Sequence, residues 1–130
     1  MKLFLGVVFL LVFISSNAHA ESVCDTFKRF EAETNKDTPR KVDFATELIQ
    51  VRVNCELKII NYVKRLLVDS DKFKSGWRER KQRQHHQLHC NKDGLASNMG
   101  WTARDTLYNS NYTLAQELET TPHDCKNAYK

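Results

Sequence analysis

Ile49-Gln50-Val51-Arg52-Val53-Asn54-Cys55-Glu56-Leu57-Lys58-Ile59-Ile60-Asn61-Tyr62-Val63 is the stretch that decides the fold. Ile49, Val51 and Val53 alternate with Gln50 and Arg52, the period of two that lays one face of a strand on a core. After the polar break Asn54-Cys55-Glu56 the apolar residues resume, with Leu57, Ile59 and Val63 on one side and Ile60 and Tyr62 on the other. Dense β-branching on both sides of a short polar break reads as a hairpin.

Upstream, Ser22 to Thr34 has a different period. Val23, Phe27 and Phe30 fall on one side at helical spacing, and Lys28, Arg29, Glu31 and Glu33 on the other, so this segment is an amphipathic helix. It ends in Asn35-Lys36-Asp37-Thr38-Pro39, because proline and the residue before it resist helix. Downstream, Asp69-Ser70-Asp71 is a helix start, followed by Phe73, Trp77 and a polar run of good helix formers from Arg78 to His89. Asp93 to Met99 adds one turn closed by Gly100. Trp101 to Tyr108 and Tyr112 to Glu119 flank Asn109-Ser110-Asn111 as a second hairpin, although Ala115 to Glu119 also has helix propensity. The order helix, hairpin, helix, hairpin gives an α+β fold with helices packed on an antiparallel sheet.

The chain opens with a basic Lys2, an almost unbroken apolar run from Leu3 to Ile14, and Ala18-His19-Ala20, the small-x-small pattern of a signal-peptidase site. The run is short for a permanent membrane span. The expected mature chain starts at Glu21 and comprises one domain over residues 21–130, of about 110 residues. Losing Lys2 lowers the formal charge of +4 by one. So small an excess, scattered along the chain, does not argue for nucleic acid or an anionic membrane. Cys24 lies several residues past the cleavage site, not at the first mature position that a bacterial lipid anchor requires. The expectation is a periplasmic or secreted protein without a stable membrane anchor.

Cys24, Cys55, Cys90 and Cys125 then sit in an oxidising compartment and read as two disulfides. Their wide spacing matches neither a CxxC redox motif nor paired zinc knuckles. Four cysteines allow three pairings.

Two clusters are candidates for chemistry. His85-His86-Gln87-Leu88-His89-Cys90 places His85 with His89, and His86 with Cys90, at i and i+4, the spacing with which a helix grips a metal ion. No glutamate stands between them and no distal third ligand is evident. The alternative is a solvated helix end, where histidine suits the dipole. Trp77, Arg78, Arg80, Lys81 and Arg83 form the basic cluster with an aromatic neighbour, and they are the candidate contact surface for a partner protein. GxSxG, HExxH, SxxK and glycine-rich phosphate loops do not occur, so no catalytic residue and no cofactor is assigned. The leading expectation is a non-enzymatic binding protein acting on another envelope or secreted protein. A small metal-dependent enzyme using His85, His86 and His89 is the rival.

The run Asn35-x3-Pro39-x2-Val42-Asp43-x2-Thr46-x-Leu48, the Asn61-Tyr62 pair, Cys90, Gly100-Trp101, Tyr108 and Pro122-x-Asp124-Cys125 together resemble the quorum-sensing-regulated virulence factor family of small exported bacterial proteins. The resemblance implies helices on an antiparallel sheet and a Cys90–Cys125 bridge, leaving Cys24 with Cys55. It brings no catalytic residues. This chain departs from the family in its extra cysteine pair and in having Asn109-Ser110-Asn111 where a turn glycine is expected.

Overall fold

In the computed structural model, which describes residues 22–128, the deciding stretch is the antiparallel pair β2 (Thr46–Asn54) and β3 (Ile59–Leu66). Leu57 sits in the turn between them and is exposed. The pairing is not a simple alternation. Leu48 pairs with Lys64 and Gln50 with Val63, so Ile49 is an extra, bulged residue. The bulge resets the parity. Leu48 therefore joins Val51 and Val53 in the core, and Ile49 does not.

The sheet has five strands in the order β1-β2-β3-β4-β5, with β1 at Arg40–Asp43, β4 at Thr102–Tyr108 and β5 at Leu114–Thr120. Three neighbouring pairs are antiparallel, but β3 and β4 run parallel. The fold is α+β, and its sheet is mixed where an antiparallel one was expected. The connection from β3 to β4 is long and carries helices α2 (Trp77–His89) and α3 (Leu95–Met99), and such a crossover returns the chain to the same end of the sheet. The second hairpin forms as expected, and the helix propensity of Ala115 to Glu119 is overridden by pairing with β4.

Helix α1 (Val23–Asn35) follows the amphipathic reading. Ser22 caps it by accepting the Asp25 N–H at 3.1 Å. Phe27 meets Trp101 edge to face at 4.7 Å, beside Val51, Val53 and Ile60. The helix foreseen at Asp69 is instead one 3₁₀ turn, Ser70–Lys72, with the Asn109 carboxamide oxygen accepting both the Ser70 N–H (3.2 Å) and its hydroxyl (2.7 Å). Helix α2 begins only after Gly76, whose φ of 79° breaks any continuation.

A short terminal helix, α4 (Pro122–Ala128), was not foreseen. Asp124 accepts the Thr121 N–H at 2.8 Å and the Thr121 hydroxyl accepts the Asp124 N–H at 3.1 Å, a capping box with proline at the first helical position. Cys24–Cys55 ties α1 to the β2–β3 turn, and Cys90–Cys125 ties the end of α2 to α4, with Cα separations of 5.6 and 5.1 Å. This is the pairing the family resemblance implies. The expected signal segment, Met1 to Ala20, lies outside the described residues.

All the helices that pack on the sheet use one face. The other face carries charge ladders: Arg104 with Glu117 (3.2 Å) and Glu119 (2.8 Å), and Arg65 with Glu47 (3.3 Å).

Candidate functional site

Helix α2 organises the candidate site because each of its faces does a different job. Residues advance by about 100° per step on a helix, so Arg78, Arg80, Lys81 and Arg83 do not share a face. Arg78 stacks on the Trp77 ring at 4.5 Å and donates to the Ala115 carbonyl of β5 at 3.3 Å. Arg80 and Lys81 border a groove, and Arg83 is exposed away from it. Trp77 is not the protruding anchor that its neighbours suggested. It is 8% exposed, packed against Phe73 at 5.1 Å and near Leu66 and Leu118.

The sheet-facing side of α2 carries the histidines. His85 is buried. Its Nδ1 lies 2.6 Å from Thr120 Oγ1, and its Nε2 lies 3.5 Å from Asp105 Oδ1, too far for a hydrogen bond. His86 Nδ1 lies 2.9 Å from the same Thr120 oxygen, and its Nε2 is 3.2 Å from the Gln82 carboxamide. A hydroxyl has one proton to donate, so at least one of the two imidazoles donates its N–H to Thr120 Oγ1. Asp105 is also held by Lys64 at 2.7 Å. Burial alone would raise the Asp105 pKa, but His85 and then Lys64 outweigh it and hold the carboxyl below its ordinary value. His89, its ring 4.6 Å from that of His85, is lowered from 6.5 to about 4, first by burial and then by His85.

Thr120, His85 and Asp105 follow one another in the order of a hydrolase's nucleophile, base and carboxylate, but without the hydrogen bond between base and carboxylate. However, the Thr120 side chain is 0% exposed, and no substrate reaches it. Nδ1 of His85 and both ring nitrogens of His86 are committed within the fold, and Cys90 is in a disulfide. Among the described residues no three metal-ligating side chains gather. The i,i+4 pair His85 and His89 does stack ring against ring at 4.6 Å, but the imidazoles that meet Thr120 on β5 are those of the adjacent His85 and His86.

The third side of α2 walls the groove. The other wall is the β1–β2 hairpin, and Thr46 and Leu66 form the floor. The cavity is about 460 Å³ at its wider end, where Trp77, Phe73, Arg80 and Lys81 face Phe44. It continues along α2 past Gln84 to Leu88, opposite Val42 and Asp43. Phe44 is at the hairpin tip, held there as Asp43 Oδ1 accepts the Ala45 N–H at 2.8 Å, and it is 90% exposed. Val42 and Leu88, also exposed, border the same groove. Sequence reasoning missed Phe44, although a phenylalanine between Asp43 and Ala45 at a strand junction was a visible oddity.

No protein-family profile matches the chain, and no curated protein sequence matches it. Among solved structures, a similar fold is found in the pilotin EpsS from the Vibrio vulnificus type 2 secretion system. The two share a TM-score of 0.56 and 12% identity, with 75% of this chain and 86% of that one covered. This likeness is one of fold.

Two disulfides in a chain of this size fit an oxidising compartment and an envelope or exported protein. Among the described residues no helix is long and apolar enough to cross a membrane.

Proposed function

We propose that this chain is a non-enzymatic accessory protein of the bacterial envelope that holds a segment of a partner protein in the groove between α2 and the β1–β2 hairpin. The observation that carries this reading is Phe44. A phenylalanine 90% exposed at the tip of a tight turn contributes nothing to the core, yet it stands over a cavity lined by the buried apolar Leu66 and Trp77. Val42 and Leu88 add exposed apolar surface further along the same concave site, the pattern of a binding groove.

The pilotin fold supports an accessory role in a secretion system, and the two bridges support action in the periplasm. Virulence, inhibitor or immunity roles are variants of the same binding activity. The resemblance to the quorum-sensing-regulated virulence factors supports the first of them. The basic residues of α2 enter this reading unequally: Arg80 and Lys81 border the groove, whereas Arg78 and Arg83 do not.

The test is capture of a specific protein from envelope extract by the immobilised exported chain. Phe44→Ser and the Arg80→Glu/Lys81→Glu pair should each reduce recovery of that protein without lowering the melting temperature. Undiminished recovery in both would remove the groove from the reading.

A further inference from the structure

From the groove's shape and charge we infer that its occupant is an acidic amphipathic segment of a partner protein. This rests on the groove reading above and adds the chemistry of what enters it. The wall of α2 from Trp77 to Leu88 spans eleven residue steps, about 16 Å of helix, which matches roughly three turns of a partner helix or a short extended strand. One long side of that segment must be apolar, because the groove presents Phe44, Trp77, Leu66 and Leu88 along its length.

Its other side must be acidic. Lys72, Lys74, Arg80 and Lys81 border the wider end. No ion pair involves any of these four among the described residues. Arg80 is held in place by two neutral acceptors, the carbonyls of Ser75 (2.9 Å) and Lys74 (3.3 Å). Asp43 is the acid on that rim, and one of its oxygens is already engaged by the Ala45 N–H. At the inner end Lys64 and Asp105 neutralise each other. The positive excess therefore belongs to the mouth, where a partner's carboxylates would meet it, while the apolar floor takes large side chains. Complementary rim charges of this kind govern partner choice and association rate.

Two fluorescein-labelled synthetic peptides of about 12 residues test this. They share one leucine and phenylalanine stripe, and carry glutamate or lysine at every other position. Anisotropy titrations use the full exported chain at low salt and at about 0.15 M salt. The glutamate peptide should bind at least tenfold more tightly (roughly 1.4 kcal/mol), with the difference shrinking in salt. Lys74→Glu/Lys81→Glu should abolish or invert the preference. Phe44→Ser should weaken the glutamate peptide, and Arg83→Glu, off the groove, should change nothing. The inference is overturned if the peptides bind equally, if neither binds, or if the preference survives the Lys74/Lys81 reversal. Envelope capture separates the two levels. If Phe44→Ser loses the captured protein while the peptides fail to discriminate, the groove stands and its acidic occupant does not. If capture and peptide binding are both indifferent to groove variants, the groove reading fails too.

Discussion

Thr120 joins two histidines of α2 to β5 through a single hydroxyl with no exposed surface. Replacing it with valine keeps the shape but leaves two imidazole nitrogens without a partner, and stranding buried polar groups costs about 1–3 kcal/mol. Thr120→Val should lower the denaturation midpoint accordingly, Thr120→Ser should recover most of it, and equal stability of all three would show the hydroxyl to be dispensable. The same cluster sets a pH response. His89 has its folded pKa lowered from 6.5 to about 4, so the folded state binds fewer protons than the unfolded one between these values. Its contribution is fully present above about pH 6.5 and drains away as pH falls toward 4. Asp105, also lowered, adds a further loss as pH falls below its ordinary 3.8. Thermal melts across this range should show stability falling from pH 6.5 to 4, with a shallower fall in His89→Gln. An identical profile in the variant would remove His89 as a cause. The histidine spacing was plain in the sequence, but its meaning was not. Whether these imidazoles meet a metal ion or a threonine depends on which strand lies under the helix, and Thr120 on β5 is 35 residues beyond His85.

Helix α1 does more than cover the core. β1 pairs with β2 only as far as Leu48, so beyond that point β2 would present an open edge. The Asn35 carboxamide closes it by accepting the Val51 N–H at 2.8 Å and donating to the Val51 carbonyl at 2.9 Å. Glu31 accepts the N–H of Val53. At the opposite edge α2 acts likewise, with Arg78 donating to the Ala115 carbonyl and Gln82 to that of Glu119. Free strand edges template association, and side chains of this kind block it. Asn35→Ala should cost about 1 kcal/mol, speed hydrogen exchange at the Val51 amide, and promote self-association at high concentration. Unaltered exchange at Val51 would show the edge to be protected by other means. Amphipathic spacing made α1 readable in advance, whereas edge capping was hidden because Asn35 and Val51 lie 16 residues apart. Helix α4 is the reverse case: Thr121-Pro122-His123-Asp124 spells out a capping box, and the signal was simply there to be read. Gly94 is a third kind. A Cβ there would lie 2.2 Å from the His89 carbonyl oxygen, so Gly94→Ala should shift the backbone and destabilise by more than about 1 kcal/mol in a chemical melt.

Both bridges lie at the end of the sheet where β3 and β4 begin, Cys24–Cys55 joining α1 to the β2–β3 turn and Cys90–Cys125 joining the end of α2 to α4. Each closes a long stretch of chain, with sequence separations of 31 and 35. Removing one by Cys90→Ser/Cys125→Ser should cost about 2–5 kcal/mol and clearly lower the melting temperature. Peptide mapping without reductant should return these two linked pairs, and a Cys24–Cys125 peptide would contradict the structure. The residue order by itself determined that a β2–β3 hairpin forms, that amphipathic helices accompany it, and that four cysteines read as two disulfides. These are local properties, set by side-chain period, β-branching and composition. Tertiary structure alone decided the parallel pairing of β3 with β4, the bulge that puts Leu48 rather than Ile49 in the core, and the burial of Trp77. It also decided the groove. Phe44 and Lys81 lie 37 positions apart and meet across a cavity only because a long crossover lays α2 beside the first hairpin, and no periodicity along the chain encodes such a juxtaposition.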